Sequence, residues 1–269
     1  MLDDNKVPSS LTLDAFSPQE IARRVENAAI SKAKIGFAST LILAILAGAF
    51  IAFGGAFYTL VITGSGLGFG PTRMLGGLAF STGLVLVVVG GAELFTGNNL
   101  IVMAWADRKI SHLQLFRNWS IVYIGNLLGS LGIALLVAMS GILALDGGNV
   151  ALTAIGIAEA KLNLSMGEAF VRGILCNTLV CLAIWLCFSA RSVVSKILAI
   201  AFPVTAFVAL GFEHSIANMY LIPIAYLAGS EAVTFSGFIT NIILVTAGNI
   251  IGGSGFVAIT YWMVYLRKS

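Results

Sequence analysis

Charged residues are scarce in this sequence. Lysine and arginine number 15 and aspartate and glutamate 12 in 269 residues, so only 10% of the chain is charged, whereas an average soluble domain has roughly a quarter. Hydrophobic residues make up 58% of the chain, and the mean hydropathy is +0.98. A soluble protein of this composition would expose large apolar patches to water. The sequence therefore predicts an integral membrane protein in contact with a lipid bilayer.

Cysteine is also rare, and the motifs of several protein classes are missing. Cys176, Cys181 and Cys187 fall in one predicted span, which excludes a disulfide framework and offers no metal-ligand spacing. There is no phosphate loop, nucleotide motif or Ser/His/Asp nucleophile constellation. The sequence thus predicts neither an ATP-driven pump nor an enzyme, and no cofactor or metal. The net charge of +3 follows the membrane topology, so no nucleic-acid partner is expected.

Long stretches without charge define the membrane spans. No Asp, Glu, Lys or Arg occurs in 35–72, 118–145 or 232–266, and each stretch exceeds the roughly 20 residues of a membrane-spanning helix. Polarity does not alternate along them, as it would in the strands of a β-barrel. The prediction is an all-α membrane protein with six transmembrane helices, at 36–63, 72–104, 117–144, 166–190, 196–229 and 235–265.

The positive charges predict the orientation, because lysine and arginine gather on the cytoplasmic side of membrane proteins. With the N-terminus inside, most of them face the cytoplasm, including Lys6 and Lys268. Only Arg73, Lys161 and Arg172 lie on the outer side. Both termini of this multi-pass protein are therefore expected in the cytoplasm.

The chain divides into two parts. Residues 1–35 are expected to form a cytoplasmic N-terminal segment, and 36–266 a single transmembrane domain. Within the first part, 17–35 is predicted to be an amphipathic helix at the membrane surface. Ser17 and Glu20 have the spacing of a capping box at its start.

An internal repeat relates the second span to the fifth and the third to the sixth. Two motif pairs carry it, at offsets of 120 and 123 residues: Gly91-Ala92-Glu93 with Asn98 matches Gly211-Phe212-Glu213 with Asn218, and Asn118 with Gly125-Asn126-Leu127-Leu128-Gly129 matches Asn241 with Gly248-Asn249-Ile250-Ile251-Gly252. The halves, about 36–145 and 166–266, contain three spans each. Because three is odd, they are predicted to have opposite orientations in the membrane.

The second and fifth spans each carry an acid and glycines near their middle, which predicts a break in each helix at the midplane. Interrupted spans at corresponding places in two halves indicate a transport pathway. A carboxyl in hydrocarbon must be paired or hydrogen-bonded. We therefore expect Glu93 and Glu213 to be structural at the breaks, with Asn98 and Asn218, and each carboxyl to accept from main-chain amides that its own break frees. A role of the two acids in substrate or proton transfer is the alternative.

His214 is predicted to be a functional group of the pathway, because it adjoins a break and Leu94 takes its place in the other half. A neutral imidazole donates a hydrogen bond and a protonated one is a cation, and both suit a small anion. Thr96, in the other break, would face His214 if the breaks meet. Asn177 is a candidate amide donor. Apolar residues flanking the midplane are Phe80, Leu84, Leu94, Phe95, Val180 and Phe207.

Five stretches resemble signature sequences of the formate/nitrite transporter family. They are GGAELFTGNN (90–99), NWSIVYIGNLLG (118–129), CNTLVCLAIW (176–185), GFEHSIANM (211–219) and VTAGNIIGG (245–253). The resemblance runs from about residue 20 to the C-terminus and is greatest to the formate branch. It implies an aquaporin-like fold with six spans per protomer, assembled as a homopentamer with a pore in each protomer. It also implies that 91–99 is a loop able to gate the pore.

The resemblance further implies roles for individual residues. Thr96 and His214 would lie at the pore centre with Asn177 nearby, and Lys161 would attract anions on the outer side. The six apolar residues named above would form hydrophobic constrictions.

The resulting hypothesis is transport of formate and related small monovalent anions across a bacterial cytoplasmic (inner) membrane, as a channel or a proton-coupled carrier. Acetate and lactate are further candidate anions. A nitrite or hydrosulfide channel of the same family is the alternative. An intramembrane enzyme that uses Glu93, Glu213 and His214 and a channel for neutral solutes are weaker ones.

Overall fold

The structure is a computed structural model that describes residues 15–267. These residues form α-helices with short 3-10 and π-helical segments, and no β-strand occurs among them. Seven helical stretches are long and apolar enough to cross a membrane. The predicted all-α membrane architecture is therefore confirmed. Lys6, Lys268 and residues 1–14 of the predicted N-terminal segment lie outside the described residues.

Twelve α-helices follow one another through short connections in the described part of the chain. They are α1 (Pro18–Lys34), α2 (Phe37–Ile62), α3 (Phe69–Gly90), α4 (Phe95–Asn98), α5 (Val102–Ala106), α6 (His112–Met139), α7 (Asn149–Leu162), α8 (Met166–Ser189), α9 (Val193–Ala209), α10 (Ser215–Leu227), α11 (Phe235–Ile250) and α12 (Thr260–Tyr265). A π-helical segment, Ile251–Ile259, joins α11 to α12 without interruption.

The second and fifth predicted spans are each interrupted, as expected. The second is split between α3 and α4, and the fifth between α9 and α10. The sequence analysis missed α7, which follows a 3-10 segment, Ile142–Gly148. A regular helix of 14 residues is about 21 Å long, shorter than the roughly 30 Å hydrocarbon core. One of the seven apolar stretches, Ile142–Leu162, joins this 3-10 segment to α7 across non-helical backbone at 145–147, and α7 by itself is too short to cross the membrane.

Helix α1 begins at the predicted capping box. Ser17 Oγ accepts from the Glu20 N–H, and Glu20 Oε2 accepts from the Ser17 N–H at 2.9 Å. Its apolar face is buried against the bundle. From the same helix Glu26 reaches Lys109 Nζ at 2.5 Å, although burial raises the pKa of the Glu26 carboxyl above its ordinary value. Helix α1 is therefore packed onto protein along its apolar face.

Glycines bring the long helices into close contact, because small residues let two helix backbones approach closely. A Cβ built on Gly129 of α6 would lie 2.0 Å from Ile45 O of α2. A Cβ built on Gly252 would lie 2.1 Å from Ile174 O of α8. No larger residue fits at either position without moving a backbone. The helices bearing the two breaks are held inside this tightly packed frame.

Candidate functional site

The two helix breaks have the same backbone geometry. Gly91 and Gly211 end the preceding helices with φ of +80° and +73°, a left-handed conformation that favours glycine. The next N–H turns back onto the helix, and Ala92 donates to Val87 O at 2.9 Å. The equivalent bond in the second break is 3.0 Å long. Each break therefore exposes main-chain groups that need partners.

An asparagine on a neighbouring helix supplies these partners in the first break. Asn126 Oδ1 accepts from the Phe95 N–H at 2.9 Å. Its Nδ2 donates to Ala44 O at 2.7 Å and to Glu93 O at 2.9 Å. All of these groups are buried, where an unpaired main-chain group is costly.

Asn249 makes the equivalent contacts in the second break. Its Oδ1 accepts from the Ser215 N–H at 2.9 Å. Its Nδ2 donates to Gly173 O at 2.8 Å and to Glu213 O at 2.9 Å. The repeat aligns Asn126 with Asn249, but no role was predicted for either, because their partners are distant in sequence.

Glu93 and Glu213 each bind a lysine and an asparagine. Glu93 accepts from Lys32 Nζ at 2.6 Å and from Asn98 Nδ2 at 2.7 Å. Glu213 accepts from Lys161 Nζ at 2.9 Å and from an equivalent asparagine, at 2.7 Å. We expected main-chain amides freed by the breaks as the partners. Among the described residues the carboxyl oxygens instead bind side chains, since asparagines satisfy the main chain.

The asparagines named in the repeat motifs complete both clusters. Asn98 and Asn218 donate to Asn118 and Asn241, at 2.9 and 2.8 Å. The latter two donate to the main-chain carbonyls of the two lysines, at 3.4 and 3.2 Å. The matching contacts form two Lys–Glu–Asn–Asn clusters that differ in one bond, because Lys32 Nζ also donates to Asn98 Oδ1 at 3.0 Å whereas no described residue donates to Asn218 Oδ1.

Lys32 is a residue that the sequence analysis missed. It is the counterpart of Lys161, and the pair has an offset of 129 residues, like Ala44 and Gly173. Helix α7 is therefore the counterpart of α1, so each repeat begins with a short helix before its first long one. The offset of 129 could have revealed this, but it differs from the 120 and 123 of the later motifs.

The ion pair between Lys161 and Glu213 gives a testable coupling. Replacing Glu213 with glutamine is expected to lower the free energy of unfolding by about 3 kcal/mol, because it leaves the ammonium, with a side chain only 14% exposed, without its carboxylate. Adding Lys161→Met should cost less than the sum of the single changes, with a coupling of about 1–3 kcal/mol. The measurement is a double-mutant cycle of denaturation in detergent.

The equivalent pair provides the matched comparison for that cycle. The Lys32 side chain is 32% exposed, so the Lys32→Met and Glu93→Gln cycle should give a smaller coupling. Additive effects of Lys161→Met and Glu213→Gln would contradict the assigned ion pair.

His214 and Thr96 meet between the two breaks, as expected. His214 Nε2 lies 3.0 Å from Thr96 Oγ1, and both residues are buried. His214 Nδ1 accepts from the Ala217 N–H at 3.0 Å and caps α10. Because Nδ1 is the acceptor, the proton of a neutral ring lies on Nε2 and points to Thr96. This leaves the Thr96 hydroxyl hydrogen available to another acceptor.

Asn177 stabilises the backbone around Thr96. Its Nδ2 donates to Thr96 O at 3.2 Å, to Asn99 Oδ1 at 3.3 Å and to Asn249 O at 2.7 Å. The side chain is fully buried. The Asn177 amide thus donates to protein oxygens, and Asn177 positions Thr96 by holding the main chain of that residue.

Two cavities enter the bundle from regions related by the repeat. The α7 cavity, of about 390 Å³, is lined by Lys161, Glu213 and His214. The α1 cavity, of about 260 Å³, is lined by Lys32 and Glu93. Each cavity therefore ends beside one break and carries one Lys–Glu pair.

The expected constriction residues take different places. Phe80 and Phe207 line the α7 cavity, with ring centroids 5.8 Å apart, and Phe207 also stacks on the His214 ring. Leu94 lines the α1 cavity. The remaining expected constriction residues are buried and line neither cavity; they are Leu84, Phe95 and Val180.

The described part of the chain contains no group of His, Cys, Asp or Glu that could hold a metal ion.

Comparison with known proteins identifies the family. The profile described as formate/nitrite transporter matches residues 19–263. The chain belongs to the formate/nitrite transporter family. Among curated members of this family, the formate channel FocA of Escherichia coli (strain K12) is 42% identical over 95% of this chain and 96% of its own length. A probable formate transporter of Methanothermobacter thermautotrophicus is 40% identical over 94% of this chain and 98% of its own length.

Solved structures of the formate/nitrite transporter family have the same fold. A pentameric formate channel with formate bound superposes with a TM-score of 0.79 at 43% identity, covering 86% of this chain and 98% of the other. A structure described as an FNT family ion channel gives 0.84 at 30% identity, covering 91% and 98%. These relatives are channels and transporters, and the fold of this chain is theirs.

Proposed function

We propose that this chain transports formate along a path that runs from one cavity to the other past His214 and Thr96. The observation that carries the proposal is the contact between these two side chains, which lies between two cavities that each contain a lysine. The names of the relatives, a formate channel and a probable formate transporter, support formate as the anion. No enzymatic activity and no cofactor are proposed.

The two halves are proposed to be inverted in the bilayer. Equivalent hydrogen bonds at the two breaks, and the pairing of α1 with α7, support an inverted repeat of the kind found in transporters. In this arrangement the α1 cavity opens to the cytoplasm and the α7 cavity to the outside, as the positive charges indicate. Both termini are then cytoplasmic, in a bacterial inner membrane. A homopentamer is proposed from the pentameric relative.

The path combines attraction of the anion with a barrier. The lysine in each cavity, Lys32 or Lys161, is paired with a glutamate, so it offers an anion N–H donors rather than net positive charge. The apolar constrictions between the cavities oppose a charged solute, because removing an anion from water is costly. At the centre, His214 Nε2–H and the Thr96 hydroxyl can each donate a hydrogen bond to the carboxylate. Proton transfer to formate through His214, in which Nε2 gives its proton to the carboxylate and regains one from water, which is left as hydroxide, would let the neutral acid cross.

Reconstitution tests the function. Purified protein in liposomes with an internal pH dye is challenged with formate or nitrite gradients at matched pH. We expect formate flux to exceed nitrite flux and to rise as the pH falls, because more of the substrate is then protonated. Acetate, lactate and hydrosulfide are tested as competitors.

Protein-free liposomes provide the background, and glycerol flux tests for a channel for neutral solutes. Nitrite flux above formate flux would assign the chain to nitrite transport. Absence of both fluxes would contradict the proposal.

A further inference from the structure

The two cavities differ in charge although the repeat relates them. The repeat gives each cavity one lysine and one glutamate, whose formal charges cancel. Arg73 and Arg172 also line the α7 cavity, whereas no further charged residue of 15–267 lines the α1 cavity. The counterparts of these arginines at offsets of 120 and 129 are Val193 and Leu43. The α7 cavity therefore has an excess of positive charge that the repeat does not explain.

Both guanidinium groups are fixed at the end of α9. Arg73 Nε donates to Ala209 O at 2.5 Å and Nη2 to Val208 O at 3.3 Å. Arg172 Nη1 donates to Gly211 O at 3.3 Å. A Cβ built on Gly211 would lie 2.8 Å from Arg73 Nη2 and 3.7 Å from Arg172 Nη1. The two cations thus flank one position, close enough for a small anion to contact both.

Their charges are only weakly compensated. Among the described residues no carboxylate oxygen lies within 4.0 Å of Arg73, and Arg172 has one partner, Glu168, at 3.9 Å. That pair is solvent-exposed, with side chains 38% and 55% accessible, so its attraction is screened. Each guanidinium has five N–H donors, and the main-chain contacts leave several of them unused.

We propose that Arg73 and Arg172 form an anion-binding subsite in the α7 cavity, which holds a small carboxylate by charge before it reaches His214. This inference rests on the proposed transport of formate. The subsite lowers the half-saturating formate concentration for entry from the α7 face, and removing the two arginines raises it. The α1 cavity has no such pair. Entry from the α1 face does not depend on the subsite.

Initial formate uptake into right-side-out and inside-out membrane vesicles tests the subsite. In the variant Arg73→Gln with Arg172→Gln, we expect the half-saturating concentration to rise about 3–10-fold from the extracellular face, where the α7 cavity opens. From the cytoplasmic face it should change by less than about twofold. High ionic strength should shift the wild type in the same one-sided way. In a passive pathway the ratio of maximal rate to half-saturating concentration is the same from both faces. A variant must therefore change this ratio equally in the two vesicle orientations, and this equality is an internal check on the measurements.

Two further variants separate charge from structure. Arg117 also donates to a main-chain carbonyl, Ile35 O at 3.1 Å, but lines neither cavity, so Arg117→Gln should match the wild type. Arg73→Lys with Arg172→Lys keeps the charge and should restore the extracellular value to within about twofold.

The subsite would be overturned if the half-saturating concentration rose equally from both faces or did not rise from the extracellular face. It would also be overturned if the lysine variant were as impaired as the glutamine variant. Wild-type vesicles that transport no formate would instead contradict the proposed function.

Discussion

Replacing His214 with phenylalanine is expected to lower formate flux by about 100-fold, within the range that a positioned proton donor or acceptor contributes. The change removes the Nε2–H that points to Thr96 and adds a further phenylalanine beside Phe80 and Phe207. An anion at this point would then lack one of its two proposed donors in a desolvated passage. The measurement is formate flux into liposomes at several pH values. Intact flux with an unchanged pH dependence would contradict a role of the imidazole in transport.

Two controls separate this role from stability. His112→Phe replaces the other histidine, which is solvent-exposed and lines neither the α1 cavity nor the α7 cavity. This variant should transport normally. His214→Asn keeps a side chain that can cap α10. It should melt closer to the wild type than His214→Phe does, yet transport at least about tenfold more slowly. Wild-type flux in His214→Asn would show that the ring is dispensable.

The interrupted spans were predictable because their signals are local. Glu93 and Glu213 each lie within an otherwise apolar span next to glycines, and an acid in hydrocarbon requires a special environment. The motifs around them recur at one offset, so their equivalence was readable from the sequence. The meeting of His214 with Thr96 also followed, once the breaks were assumed to lie together.

Helix α7 and Lys32 were not predicted, because their roles depend on contacts between residues that are far apart in the sequence. Helix α7 is short and carries Glu159 and Lys161, and non-helical backbone at 145–147 separates it from the segment before it, so no uninterrupted apolar run marks it in the sequence. Its equivalence to α1 has an offset of 129, while later motifs have 120 and 123, since the second half is shorter than the first before the break and longer after it. Without the three-dimensional contacts, Lys161 looked like an unpaired cation, whereas it pairs with Glu213.

The symmetric and the asymmetric parts of the structure serve different purposes. The Lys–Glu–Asn–Asn clusters and the tethering asparagines recur in both halves, which suits a scaffold for the breaks. His214 corresponds to Leu94, and Thr96 to Ile216. The groups proposed to meet the anion at the centre are thus found where the repeat is broken. Sequence repetition alone points to the scaffold, and its exceptions point to the site.

The scaffold assignment predicts a large loss of stability when one tether is removed. Replacing Asn249 with leucine leaves the Ser215 N–H and the Glu213 carbonyl without a partner, and it removes a second donor from Gly173 O, which lies within α8. Each buried unsatisfied group costs about 1–3 kcal/mol, so we expect a loss of about 3–6 kcal/mol in the free energy of unfolding. This is comparable to the total stability of many proteins. Denaturant titration in detergent, with the yield of folded protein, measures it.

Asn126→Leu is the decisive companion, because it removes the same three kinds of contact from the first break. If satisfaction of main-chain groups determines the cost, the two variants should agree within about 1 kcal/mol. Asn163→Leu, at an exposed position, should cost less than about 0.5 kcal/mol. A small effect of Asn249→Leu would show that water or rearranged backbone satisfies the break. The break would then be open to solvent, and the scaffold role would pass from the asparagine to the Lys–Glu pair.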